Sequence, residues 1–246
     1  MRDVFNITSL GVALILLALP AAADWDPGDG HKMHYPQMPD PFGLDVSFRS
    51  PQVLADDWQC SATGPVDDVH FWFSAQGGAT PNIFSVHLSI HENLPPDPAN
   101  PFSRPGALLW QRDFSPTEFT WRFAGTGEQG WYVPENGVYI PNDHFEFYQM
   151  NIENIPAPFT QLQGEVYWLD ISISAQTPLG WKTSMSPQFM DTGVWGNLPA
   201  PTWQPVYDPR VPGAQMPLDF AFVITPEPSA IVLMCLGGLG VLRRRW

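Results

Sequence analysis

The sequence predicts an all-β protein: a single β-sandwich of jelly-roll type, followed by a short C-terminal transmembrane helix. Three observations carry this. About ten short runs alternate apolar and polar residues with period two, and no 3.6-residue apolar period emerges in the body of the chain. The prolines, 28 in all, fall mostly between those runs, where they set turns without removing a ladder donor. The 246 residues, 44% of them hydrophobic, suffice for one large core and exclude outright disorder. With 2 cysteines the chain is not a disulfide scaffold.

The elements follow in order. Leu10 to Leu19 is an apolar run preceded by Arg2 and followed by Pro20 and Ala21-Ala22-Ala23. That pattern reads as a secretory signal peptide over residues 1–23, with Ala21 and Ala23 fitting signal peptidase subsites and cleavage before Asp24. Residues 24–50, with Pro27, Pro36, Pro39 and Pro41, read as an irregular arm wrapping the sandwich. The alternating runs come next. In Phe84 to His91 the set Phe84, Val86, Leu88, Ile90 shares one face, and similar alternation marks Val69–Phe73, Phe119–Phe123, Tyr167–Ile173 and Leu218–Phe222. Shorter candidates are Leu108–Phe114, Trp131–Val133, Phe145–Ile152, Trp181–Thr183 and Trp203–Tyr207. The Pro-rich stretches 93–106 and 197–217 contain residues that want burial, so they read as ordered surface loops and the segment 24–225 as one domain. No blade-length repeat supports a propeller.

A second apolar run, Ala230 to Leu242, is introduced by Pro226-Glu227-Pro228 and closed by Arg243-Arg244-Arg245. At about 1.5 Å per residue it covers roughly 20 Å, short for a membrane core of about 30 Å. The arginines hold that end in the cytoplasm and leave the body outside, with the inner membrane as a transient partner. This ordered triplet, apolar helix and arginine cluster resembles the PEP-CTERM sorting signal of Gram-negative bacteria. The resemblance covers residues 226–246. It implies processing by an exosortase near the triplet, and delivery to the cell surface or to an exopolysaccharide matrix. The strings LADDWQCSATGPVDDVHFWFS at 54–74, VYWLDIS at 166–172 and LDFAFVIT at 218–225 resemble an exported bacterial domain of uncharacterised function, which implies no activity.

Without its ends the body keeps 7 Lys plus Arg against 23 Asp plus Glu, a formal charge of about −16, so no nucleic-acid partner is expected. Cys60 is its only cysteine, and packing rather than a disulfide must stabilise it.

Candidate chemistry is sparse. Two paired carboxylates would suit a glycosidase, and Asp56-Asp57 and Asp67-Asp68 are the obvious pairs. Neighbours on a strand point to opposite faces, however, so each pair offers one carboxylate to a site; their other reading is turn residues bonding nearby backbone. Asp24, Asp26 and Asp29 are candidate Ca²⁺ ligands, although the EF-hand pattern fails at Gly28 and Tyr35. His87 and His91 lie four strand residues apart, about 13 Å, too far for one zinc ion. No nucleophile elbow, H-E-x-x-H or P-loop occurs in the body, and no cofactor is expected. Among the 11 tryptophans, Trp72 is out of phase with Val69, Phe71 and Phe73 and shares a face with His70. Either that sheet is covered on both sides or an indole is displayed to a ligand. The leading expectation is therefore a non-catalytic binding or structural module at the cell surface. The rival is a secreted polysaccharide-active hydrolase using Asp57, Asp68, Asp170 or Glu165.

Overall fold

The computed structural model describes residues 24–225 and is built almost wholly of strands. They are β1 (Leu44–Ser47), β2 (Gln52–Gln59), β3 (Gly64–Val66), β4 (Asp68–Ala75), β5 (Ile83–Leu94), β6 (Arg104–Phe114) and β7 (Thr120–Val133). The chain continues through β8 (Val138–Ile152), β9 (Phe159–Gln161), β10 (Val166–Ala175), β11 (Leu179–Lys182), β12 (Val194–Asn197), β13 (Gln204–Pro205) and β14 (Phe222–Thr225). One sheet has the order β11-β1-β7-β8-β4-β14, and β11 pairs with β4 as well, which curls five of these strands into a partial barrel. It is mixed, because β1 runs parallel to β7. The other main sheet, β13-β12-β2-β10-β5-β6, is antiparallel throughout, and β3 pairs with β9 in a small ribbon.

The all-β expectation holds, and the two main sheets share one core. Phe71, Phe73 and Phe222 from the first sheet meet Leu54, Trp58, Leu88, Ile90, Leu169 and Ile171 from the second. Trp181 stands at its centre. Its ring stacks on Phe220 at 4.8 Å and touches Phe48, Phe71 and Phe222, and its indole N–H donates to the Ala221 carbonyl at 2.9 Å. The polar edge of a buried indole is thus satisfied while its body fills the core.

Several local expectations give way to tertiary pairing. The 24–50 arm is not wholly irregular: Leu44–Ser47 forms β1 inside the first sheet, and Met33, Gln37 and Pro39 bridge to Cys60, Phe222 and Ser184. Phe119–Phe123 and Trp131–Val133 are not separate strands. They are the two ends of the 14-residue β7, joined through a glycine-rich middle that pairs with β8 by way of three register shifts. The Pro41 carbonyl passes so close to Gly127 that a β-carbon there would lie 1.8 Å from it. The glycines that look like loop composition therefore admit the arm. Leu218–Phe222 joins a ladder only at its last residue: Phe220 makes an isolated bridge to Thr183, and Phe222 opens β14, the strand that pairs with β4. Phe84 leaves the core (53% exposed) because a shift in β10 pairs Ser174 with Ser85 but Ala175 with Ile83, so Ile83 takes the inward place.

Among the described residues no helix is long and apolar enough to cross a membrane. The expected signal peptide with Ala21 and Ala23, the expected transmembrane run, and the tail residues Pro226, Glu227, Pro228, Arg243, Arg244 and Arg245 lie outside the described residues.

Candidate ligand-binding surface

The carboxylates a hydrolase would use are dispersed. Asp57 is buried within β2, not in a turn, and burial, with the charges of Asp219 and Asp191 adding to it, holds its carboxyl well above the usual carboxylate range. Asp68, at the start of β4 in the other sheet, accepts from the Asn154 N–H at 2.7 Å, and burial raises its pKa. Its neighbour Asp67 pairs with Lys32 at 3.4 Å. Glu165 is exposed in the turn before β10.

Asp170 comes nearest to a catalytic grouping. Its Oδ1 accepts from the Ser89 hydroxyl, its Oδ2 lies 2.8 Å from His91 Nε2, and Ser89 Oγ lies 3.1 Å from that same nitrogen. His91 Nδ1 donates to the Gly106 carbonyl at 3.1 Å. A nucleophilic relay needs the serine at one imidazole nitrogen and the carboxylate at the other. Here both face Nε2, so the ring cannot pass a proton along the chain of groups. Burial opposes the charged ring, but the hydrogen bond and charge of Asp170 outweigh it and hold the His91 pKa above its ordinary value. The trio is a polar clamp tying β5 to β10 and β6.

Trp72 and His70 are not displayed. Trp72 is 4% exposed because the arm lays Trp25 edge-on against it at 5.9 Å. His70 is buried between Asn151 Oδ1 at 2.8 Å and Thr225 Oγ1 at 3.3 Å. Of the two arrangements open to this face, the structure has the covered one. The arm's acids do the docking: Asp24 accepts from Asn151 Nδ2 at 2.6 Å, and Asp26 pairs with Arg122 at 2.5 Å. Arg122 also donates to the Trp25 carbonyl at 2.9 Å and to Gln149 at 2.8 Å. Asp29 accepts from the Asp26 N–H at 2.9 Å. The three Ca²⁺ candidates thus turn to protein donors, and among the described residues no three His, Cys, Asp or Glu side chains are grouped to hold a metal.

The displayed aromatics are elsewhere. Trp121 and Phe123 on β7 are 39% and 56% exposed, and both pack edge-on against Tyr148 of β8, at 5.2 and 6.4 Å. Trp121 is anchored from beneath by Phe73 at 6.4 Å. Tyr148 donates to Glu146 at 2.6 Å, and burial together with that carboxylate pushes its phenol up to about 12. Phe123 also borders a recess of about 290 Å³ against the arm, where Trp72, Arg122 and Gln149 form part of the wall. Rigid rings beside a carboxylate and a hydroxyl suit a ligand with apolar faces and many hydroxyls. Sequence reasoning missed this group because period two shows that Phe119, Trp121 and Phe123 share a face, but not whether that face is covered along its whole length. In the structure exposure rises along it from Phe119 (9%) to Phe123.

Among known protein families, residues 33–225 match a domain of unknown function (DUF7901), and residues 225–245 match the PEP-CTERM protein-sorting motif. No curated protein and no solved structure matches the chain. The domain match ends at Thr225, the last residue of β14, where the sorting motif begins. The chain belongs to the DUF7901 family, and its PEP-CTERM motif marks it as an exported protein sorted to the cell surface by an exosortase.

Proposed function

We propose that the folded body is a non-catalytic polysaccharide-binding module that its sorting tail delivers to the cell surface or the exopolysaccharide matrix. The platform of Trp121, Phe123 and Tyr148, with Glu146 at its edge, is the observation that carries this reading. Exposed rings held in place by edge-to-face packing offer flat apolar area at little cost in side-chain entropy. The acidic body, with its formal charge of about −16, favours neutral or cationic sugars over polyanions. The burial of Asp57, Asp68 and Asp170, and the Nε2-only geometry at His91, support binding over hydrolysis.

Affinity electrophoresis through gels containing neutral, cationic and anionic polysaccharides tests this. Retardation of the wild type by one class, abolished in Trp121→Ala/Phe123→Ala, is the expected result. Equal mobility of the two proteins in every gel overturns it, as does release of reducing ends by the wild type.

A further inference from the structure

The partial barrel encloses a polar group that the proposed binding surface does not use. Asp45 of β1 and Lys182 of β11 are direct cross-strand partners, both completely buried. Lys182 Nζ lies 3.3 Å from Asp45 Oδ2, donates to Gln129 Oε1, and sits 5.1 Å from the centre of the Phe147 ring. On the other side of the carboxylate, His144 Nε2 lies 2.9 Å from the same Oδ2. The other nitrogen of His144, Nδ1, lies 3.0 Å from Asp143 Oδ2, which also takes the Gly77 N–H at 2.6 Å. Asp45 Oδ1 accepts no hydrogen bond of ordinary geometry; the Ser74 hydroxyl beside it is turned to Gln129 at 3.3 Å.

From this geometry we infer that Lys182 and Asp45 join covalently, the Lys182 amine forming an intramolecular amide with the Asp45 side-chain carbonyl and releasing water. The ion pair contains every atom required. One ammonium proton passes from Nζ to the adjoining Oδ2, leaving a free amine and a carboxylic acid. The amine lone pair then attacks Cγ. His144, hydrogen-bonded to Oδ2 and held by Asp143, donates its Nε2 proton as the Cγ–Oδ2 bond breaks and recovers one from Nζ. Oδ2 departs as water carrying one proton from Lys182 and one from His144, which the second Lys182 proton replaces, and no oxidant or cofactor is consumed.

Two physical arguments favour this product over a lasting ion pair. Two ions wholly removed from water each carry a desolvation penalty of several kcal/mol, whereas an amide carries no charge. Reactants held side by side by strand pairing have effective molarities that reach about 10⁵ M or more, which drives condensation in a site without bulk water. The surroundings also fit the product. An amide presents one N–H, which Gln129 Oε1 can accept, and one carbonyl, to which His144 Nε2 can donate. Burial lowers the pKa of Lys182 even though Asp45 is beside it, which favours the free amine, while Lys182 and His144 hold the Asp45 carboxyl below its usual range against burial.

The test is the intact mass of the purified, processed wild-type protein, followed by peptide mapping under denaturing conditions. The expected result is a deficit of one water, about 18 Da, assigned to a branched peptide joining Asp45 to Lys182. Lys182→Arg should restore the linear mass. A wild-type mass equal to the linear chain, with separate peptides containing Asp45 and Lys182, overturns the inference whether or not any variant folds.

Discussion

Asp219 gives the sharpest prediction about stability. It is completely buried; its Oδ2 accepts from the Phe189 N–H at 2.5 Å, and its Oδ1 has no partner. Burial pushes its pKa to about 7, with the charge of Asp191 adding to the shift and the Phe189 N–H only partly opposing it. Asp56 and Asp57, also raised well above the usual range by burial and by the Asp219 charge, crowd the same place. An acid whose folded pKa exceeds its unfolded value contributes stability that is fully present below the unfolded pKa. That contribution is lost as the pH rises through the folded one, because the native state holds the extra proton between the two. A shift from 3.8 to about 7 corresponds to about 4 kcal/mol lost by pH 8. His34, which burial lowers to about 4, has the opposite sign, but its effect is complete by pH 6.5. His91 and His144, both raised, act in the same direction as the aspartates. Asp219→Asn keeps an acceptor for the Phe189 N–H and cannot ionise. Urea denaturation followed by tryptophan fluorescence should find it about 2–4 kcal/mol more stable than wild type at pH 8, with the gain smaller by about 3 kcal/mol at pH 5. Equal effects at the two pH values, or a loss at pH 8, would refute the reasoning.

Other substitutions probe the core, the arm and the tail. Trp181→Ala, which empties the space between Phe48, Phe71 and Phe220, should cost about 3–5 kcal/mol in the same titration. Arg122→Ala removes the guanidinium that holds Asp26 and the Trp25 carbonyl, so limited proteolysis should cut the 24–43 segment at least severalfold faster, with the midpoint for the body little changed. Deleting residues 226–246 removes the sorting motif. Cell fractionation should then find the body in the periplasm or medium without surface retention, and unchanged processing and location would count against exosortase sorting.

The sequence made some of this legible for physical reasons. Period two marks β5 and β6, whose burial alternates, and it also marks β4 and β10, whose sequences alternate although nearly every residue is buried. Strands buried on both faces need not alternate. In β2 the residues Gln52 to Trp58 are all buried, and the acids among them look like turn residues until Asp56 is seen accepting the Phe220 N–H. The Asp45, Gln129, His144, Lys182 group was invisible because its members come from four strands spread over 138 residues of chain. Trp72 and Trp121 show the remaining limit. Each lies in an alternating run, and the bracing of Trp25 against one and its absence from the other decide which is displayed. The sorting tail was legible because its signal is local and linear, matched over residues 225–245.

Matrix retention of the intact, tail-bearing protein tests the central claim most directly. Wild type and Trp121→Ala/Phe123→Ala would be expressed from the same promoter, and the fraction released by washing the cells with competing polysaccharide would be measured alongside tail processing. The account predicts equal processing, with the double variant released at least tenfold more readily. Equal release of two equally processed proteins would contradict it.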